Sequence, residues 1–379
     1  MLLRAGVIPS TITNVRSEEW SLNDEVVRLR VWGSDRTFPL SPSTREPYTI
    51  GTAPTCSIHI EDPMRRASRE HAQLERIQGR WGVIDRASKN GLYRDGARVD
   101  KLALSPGVEI GIGGGVVLVA ESARWIALRN VVCRMLGWSA DRAAAVDLAL
   151  RGIRFTAMRR AVLVLHGEQD LVPLARELHR STLTAARPFV VCSPRRRTGD
   201  LPESSTESMT SGVAAVRAAA GGTVCLLQKT LPFDLKELLD ELRHPGCQTQ
   251  LVTCATSTRE AQLFVAAPVI IPSLASRKAE VDRIIQDYAA EAAASMGIGE
   301  RWLNPAERVW IRDHVGDSLP GIQKATLRLA AIRRAGSISA GALKVGISHT
   351  AMLKWLRTHK YPDLEILRAS NAVPGAASD

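Results

Sequence analysis

Between residues 26 and 121 apolar residues come in short alternating runs cut by glycine, proline and aspartate: "VVRLRVWG", "YTIG", "CSIHI", "HAQLERIQGRWGVID", "GLYRDGARV" and "VEIGIGGGVVLVAE". A period of two sends successive side chains to opposite faces, so each run buries one face, and two such sheets must pack together to make a core. This predicts an all-β sandwich over residues 26–122, after a lead-in (residues 1–25) without clear periodicity. The spacing then turns helical over 123–158, in "NVVCRMLG" and "DRAAAVDLALRGI", as a connector or as the first part of the next domain. From 159, strand-like runs alternate with amphipathic ones: "AVLVLHG", "LVPLARELHRS", "PFVVCS", "GGTVCLLQ", "DLKELLDELRH", "QLVTCAT". That alternation implies a mainly parallel sheet covered by helices, within an α/β domain over 159–295. The polar stretch 194–212 reads as a surface loop. Helical segments follow as a lid (296–335) and a helix pair (336–369), and the small-residue tail 370–379 is expected to be disordered. The fold class is thus multidomain: an all-β sandwich, an α/β centre with a helical lid, and an all-α end.

Fifty lysines and arginines against 39 acidic residues give a net charge of +11, which favours an acidic partner such as nucleic acid. No apolar run reaches the ~20 residues of a membrane span. The start, Met-Leu-Leu-Arg-Ala-Gly, lacks the layout of a secretion signal, and a cytoplasmic protein is expected. Six scattered cysteines (Cys56, Cys133, Cys192, Cys225, Cys247, Cys254) form no CxxC pair, so they read as reduced core thiols, with no metal and no cofactor expected.

Two short motifs lie in the sandwich: "SREHA" (Ser68 to Ala72) and "SKNGLY" (Ser88 to Tyr93), preceded by "YTIGTAPTCSIHIEDP" and followed by "DGARV". In this order and spacing they resemble the forkhead-associated (FHA) domain, which binds phosphothreonine peptides. The resemblance implies that Ser68 bonds the phosphate, Asn90 the peptide backbone, and that Arg69 adds positive charge, with His71 bracing the loop. One position departs from the pattern. The family usually places an arginine directly after the glycine of the third strand, where this chain has Thr52. The loop before Ser68 is longer than usual and carries Arg65 and Arg66, either of which can supply a relocated guanidinium fork. A sandwich kept as a docking module, with Arg65 and Arg66 as solvated loop charges, is the plainer alternative.

The segment "VLVLHGEQDLVPLARELHRSTLTAARPFVV" is similar to the start of the AAA+ domain of sigma-54-dependent activators. "AAGGTVCLLQKTLPFDLKELLDEL" is similar to their second nucleotide motif, "QLVTCATSTRE" to the sensor strand, and "LPGIQKATLRL" to the lid helix. Each catalytic element is altered. Gly167 and Glu168 are followed by Gln169, Asp170, Leu171 and Val172 where glycine and lysine are needed to hold phosphates. Leu227 and Gln228 stand at the positions for the magnesium-binding aspartate and the water-activating glutamate, Ser257 at the sensor asparagine and Lys324 at the lid arginine. Phosphoryl transfer needs charge stabilisation and a positioned water, so no enzyme activity is expected. The loop with which the family grips its sigma factor is also missing. An ordinary α/β domain with a chance likeness is the alternative.

Finally, "SISAGALKVGISHTAMLKWLRTHKYP" (337–362) reads as helix, glycine turn, helix, and resembles the Fis-type helix-turn-helix that ends most sigma-54 activators. Ser348 is an N-cap, and His349, Thr350, Lys354 and Arg357 form a DNA-facing set; Trp355 reads as core. In that family the paired helices dimerise. The resemblances together imply a DNA-binding transcriptional regulator that senses a phosphothreonine-containing protein and forms a homo-oligomer, dimer or higher, with no membrane attachment. The alternatives are a phosphoprotein-binding adaptor that self-assembles without specific DNA binding, and a working ATPase with an unusual site.

Overall fold

The computed structural model describes residues 24–43, 46–183, 186–193, 207–257 and 267–362. The expected lead-in up to residue 23, residues 194–206 of the polar loop, residues 258–260 of the sensor-like run, residues 363–369 and the tail 370–379 lie outside the described residues. The chain divides into two compact units. One runs to Leu163 and takes in Glu177–Ala186; the other holds Val164–Arg176 and the described residues from Arg187 on.

Among the described residues the first unit holds eleven strands: β1 (Val26–Val31), β2 (Thr37–Pro39), β3 (Tyr48–Gly51), β4 (Ile58–His59), β5 (Ala72–Ile77), β6 (Arg80–Asp85), β7 (Leu92–Arg94), β8 (Ala97–Val99), β9 (Lys101–Ala103), β10 (Glu109–Ile112) and β11 (Val116–Ser122). They form two sheets, in the orders β2-β1-β11-β10-β7-β8 and β4-β3-β5-β6-β9. Alternation puts Leu29, Ile50, Leu74, Val83, Ile110, Ile112 and Leu118 into one cluster between the sheets. Alternation fails in β11, where Leu118 to Ser122 are all buried. A strand buried on both faces needs a cover on its outer side. Two helices, α1 (Ala123–Leu136) and α2 (Ala143–Met158), are in the same compact unit, and α1 packs on β11. The segment expected as a connector is therefore part of the sandwich unit. Ser122 ends β11 and begins α1, its side chain accepting from the Trp125 N–H. Trp125 lies over Gly107 (φ 75), where an added Cβ would fall 2.4 Å from the indole, so the position admits only glycine.

Consecutive residues of β1 point to opposite faces. Leu29 enters the core between the sheets, and Arg30 enters the layer under the helices, fully buried. Arg30 Nε donates to Glu121 of β11 at 2.6 Å, and its two terminal nitrogens donate to Asp147 of α2 at 3.0 and 2.5 Å. Asp147 also accepts from the Gly33 N–H at 2.7 Å, and Glu121 from Arg28 at 2.7 Å. Burial alone would push the Arg30 pKa down; the hydrogen bond to Asp147 and the charges of Glu121 and Asp147 outweigh it and hold it above its ordinary value.

In the second unit β12 (Leu163–His166), β13 (Phe189–Cys192), β14 (Glu207–Met209), β15 (Thr223–Leu227), β16 (Gln250–Ala255) and β17 (Val269–Ile270) form a sheet ordered β14-β13-β15-β16-β12-β17. The β13–β14, β13–β15, β15–β16 and β12–β17 pairs are parallel. Helices α3 (Val172–Thr182), α4 (Gly212–Ala218) and α5 (Leu235–Arg243) alternate with these strands. The expected α/β boundary at 295 moves. Helix Val281–Met296 packs on helices Pro305–His314 and Leu319–Ala335, because its buried stripe of Ile284, Ile285, Tyr288 and Ala292 needs helical partners. Among the described residues, no helix is long and apolar enough to cross a membrane.

Asp147→Ala strands a buried guanidinium and should lower the unfolding free energy by about 3–5 kcal/mol. In urea titrations, Glu61→Ala, which breaks the exposed pair with Arg36, should cost less than about 1 kcal/mol.

Candidate functional site

The loops joining β4 to β5 and β6 to β7 meet at one end of the sandwich, and His71 joins them. Its ring is fully buried. Nδ1 accepts from the Ser68 N–H at 3.0 Å, which fixes the proton on Nε2, and Nε2 lies 3.0 Å from the Gly91 carbonyl and 3.1 Å from the Ser88 hydroxyl. Ser88 in turn donates to Asp85 at 2.6 Å and accepts from the Gly91 N–H at 2.9 Å. The Lys89 N–H donates to the Ser68 hydroxyl at 3.2 Å, and the Asn90 side-chain amide to the Arg66 carbonyl at 2.7 Å. Ser68 and Asn90 are thus held by opposite loops and tied to each other's loop. Both are half-buried, while Arg65, Arg66, Arg69 and Lys89 are exposed.

The β3 end approaches the same loop closely. The Thr52 and Ala53 N–H groups donate to the Ser68 and Arg69 carbonyls at 3.2 and 3.0 Å. A Cβ on Gly51 would lie 2.0 Å from the Arg69 carbonyl oxygen, so the glycine before Thr52 is obligatory. The Thr52 hydroxyl lies 3.4 Å from the Ser68 carbonyl.

Asp62 organises the longer loop. Its carboxylate accepts from the N–H groups of Met64, Arg66 and Ala67 at 3.0, 2.6 and 2.6 Å. Burial pushes the carboxyl up, but the N–H groups of Ala67, Arg66 and Met64 outweigh it and hold it below the usual carboxylate range. Arg65 takes a left-handed φ of 53°, uncommon for a non-glycine residue. Sequence reasoning named Ser68, Arg69, Asn90, Thr52, Arg65 and Arg66, and the structure brings them to this one end. It missed Asp62, Asp85 and Ser88. The signal for Asp62 was an acidic residue just before a run of unpaired loop N–H groups, the setting of an Asx turn.

The DNA-directed set lies in the second unit. Helix Ile338–Lys344 is followed by a turn at Gly346 (φ 72), and Ser348 caps helix His349–Thr358, accepting from the Ala351 N–H. Met352 and Leu356 are buried, and Ser348, His349, Thr350, Lys354 and Arg357 are all exposed. Gly341 passes so near helix Leu319–Ala335 that a Cβ would fall 2.7 Å from the Ile332 backbone. Trp355 is half-buried, edge-on to Trp310 at 5.7 Å with Arg328 stacked on it at 4.8 Å. Burial pushes the Arg328 pKa down to about 10.

Comparison with known proteins identifies the first of these surfaces. Residues 48–113 match the FHA domain family, and this chain carries an FHA domain there. Solved structures similar to it include an FHA domain from a study of phosphothreonine-dependent FHA domain interactions (23% identity over 25% of this chain and 94% of that one, TM-score 0.22). Others are FHA-1 of Mycobacterium tuberculosis Rv1747 (27%, covering 26% and 99%, TM-score 0.22) and the Slr1951 protein from Synechocystis sp. (31%, covering 25% and 92%, TM-score 0.22). No curated protein matches the chain.

His71→Ala leaves the Ser68 N–H without its buried acceptor and should cost about 1–3 kcal/mol of stability. Hydrogen exchange at the Ser68 and Gly91 amides should accelerate more than in the sandwich core.

Proposed function

We propose that this protein is a transcriptional regulator that docks a phosphothreonine-bearing protein on its FHA domain and binds DNA through its C-terminal helix pair. The observation that carries the first half is the pairing of Ser68 and Asn90 through His71. Two hydrogen-bonding side chains stand ready on loops fixed from beneath, as recognition of a phosphate and a peptide backbone requires. The DNA half is supported by the exposed basic and polar face of helix His349–Thr358, anchored by Met352 and Leu356 on its other side. Leu343, 81% exposed on the preceding helix, is consistent with pairing of two copies through that helix.

The α/β centre acts without nucleotide hydrolysis. In a parallel sheet, ligands bind beyond the C-terminal ends of the strands where the order reverses. Here the turn after β12 holds Asp170, whose carboxylate accepts from the Val172 N–H at 3.2 Å at the start of α3. A helix N-terminus capped by its own carboxylate repels a phosphate. Gln169 accepts from the Leu319 N–H at 2.9 Å and so caps the first turn of helix Leu319–Ala335. At the end of β15 the buried Gln228 bonds Thr253 at 3.0 Å, an amide where a general base would have to stand. These side chains serve the fold.

Ser68→Ala should weaken binding of a phosphothreonine peptide about tenfold, the worth of one hydrogen bond to a charged group, with calorimetry as the readout. Equal affinity of the unaltered protein for phosphorylated and plain peptide would end that reading. Replacing Lys354 and Arg357 together by alanine should weaken DNA binding on every sequence and reduce the slope of log affinity against log salt by about two. Gel-shift titrations at several salt concentrations measure it, and an unchanged slope would place the contact elsewhere.

A further inference from the structure

A phosphate dianion beside Ser68 needs a cation, and the side chain that follows the β3 glycine, Thr52, has none. Beside Thr52 lies an open depression of about 540 Å³, lined by Thr52, His59, Asp62, Arg65 and Ala67 among others. Two arginines precede Ser68 on the loop, and the structure separates them. Arg65 lines the depression with Thr52 and Ala67, and its left-handed backbone is set by the turn in which its N–H donates to the Asp62 carbonyl at 3.0 Å. Arg66 is not among the residues that line the depression. A Cβ on Gly113 would lie 2.6 Å from the Arg66 carbonyl, and one on Gly114 would lie 3.9 Å from its guanidinium nitrogen, so Arg66 runs along the β10–β11 turn. The Arg66 backbone is also occupied: its N–H donates to Asp62 and its carbonyl accepts from Asn90.

The acidic groups of the depression are engaged. Glu61 pairs with Arg36, and Asp62 is surrounded by three backbone N–H groups. Among the residues that line the space next to Thr52, Arg65 is thus the one lysine or arginine. We infer that Arg65 supplies the guanidinium that grips the phosphate in this FHA domain, with Asp62 as the positioning residue that holds the loop, and that Arg66 is a staple for the loop and not a phosphate ligand. This inference rests on the phosphothreonine reading given above and adds the residue that carries the charge contact.

The test uses the full chain with a degenerate phosphothreonine nonapeptide mixture and its unphosphorylated counterpart. Arg65→Asn removes the charge while keeping a residue that tolerates the left-handed backbone, and thermal melting checks that the loop change leaves the fold intact. Arg65→Asn should lower affinity for the phosphorylated mixture by about tenfold or more, the value expected for a charge-assisted contact, and leave the plain mixture unaffected. Arg65→Lys should recover only part of it, since an ammonium cannot form a two-pronged contact. Arg66→Ala should change affinity less than about threefold, and Thr52→Arg placed in the Arg65→Asn protein should restore binding. If Arg65→Asn binds like the unaltered protein, or if loss follows Arg66→Ala, Arg69→Ala or Lys89→Ala instead, the assignment of Arg65 is overturned. If the unaltered protein does not distinguish the two mixtures, the phosphothreonine reading itself fails.

Discussion

One imidazole holds the recognition end of the sandwich together. His71 touches the Ser68 backbone on one loop and the Ser88 hydroxyl and Gly91 carbonyl on the other, with no exposure to solvent. Nδ1 serves one loop and Nε2 the other, so the two ring nitrogens divide the work of joining them. Asp85 extends the chain through Ser88, and a relay of this kind fixes each member against the next. Ser68 and Asn90 inherit their positions from this arrangement. They reach across to each other's loop only because a buried ring has already set the distance between the loops.

Asp62 does for the longer loop what His71 does for the shorter spans. Three N–H groups converge on one carboxylate, so the loop needs no strand to satisfy its backbone. The left-handed turn at Arg65 is the local cost of that wrapping. The loop therefore forms a defined turn, in which Arg65 lines the depression beside Thr52 and Arg66 runs along the β10–β11 turn.

The sandwich was legible in the sequence because its signal is local. Alternating runs such as "HAQLERIQGRWGVID" return as the β5–β6 hairpin, with Leu74 opposite Val83. The helix pair near the C-terminus was legible for the same reason, since Ser348, Gly346 and the spacing of Met352 and Leu356 act within one turn or two. What sequence reasoning missed depends on partners distant in the chain. The run 123–158 looked like a connector because the need for a cover is written in β11, not in the helices themselves. Arg30 carries no sign of burial in its own strand; its carboxylate partners Glu121 and Asp147 stand 91 and 117 positions later. Gln169 was noted as a lost phosphate contact, and its bond to Leu319 spans 150 positions. The site shows the same division. Ser68, Asn90 and His71 were readable from motif and spacing, whereas Asp62 and the parting of Arg65 from Arg66 follow from a loop geometry that no periodicity encodes.

The burial of Arg30 bears on how the front of this protein can be handled as a separate piece. The family match spans residues 48–113, yet β1, β2 and β11 fall outside it, and Asp147 lies further on still. A fragment trimmed to the matched span would lose three strands of one sheet, and one ended at residue 122 would leave a guanidinium facing Glu121 without its second carboxylate. An excised reader should therefore begin before Val26 and continue through Met158, because the minimal self-sufficient piece is defined by where charges are neutralised and not by where sequence likeness stops.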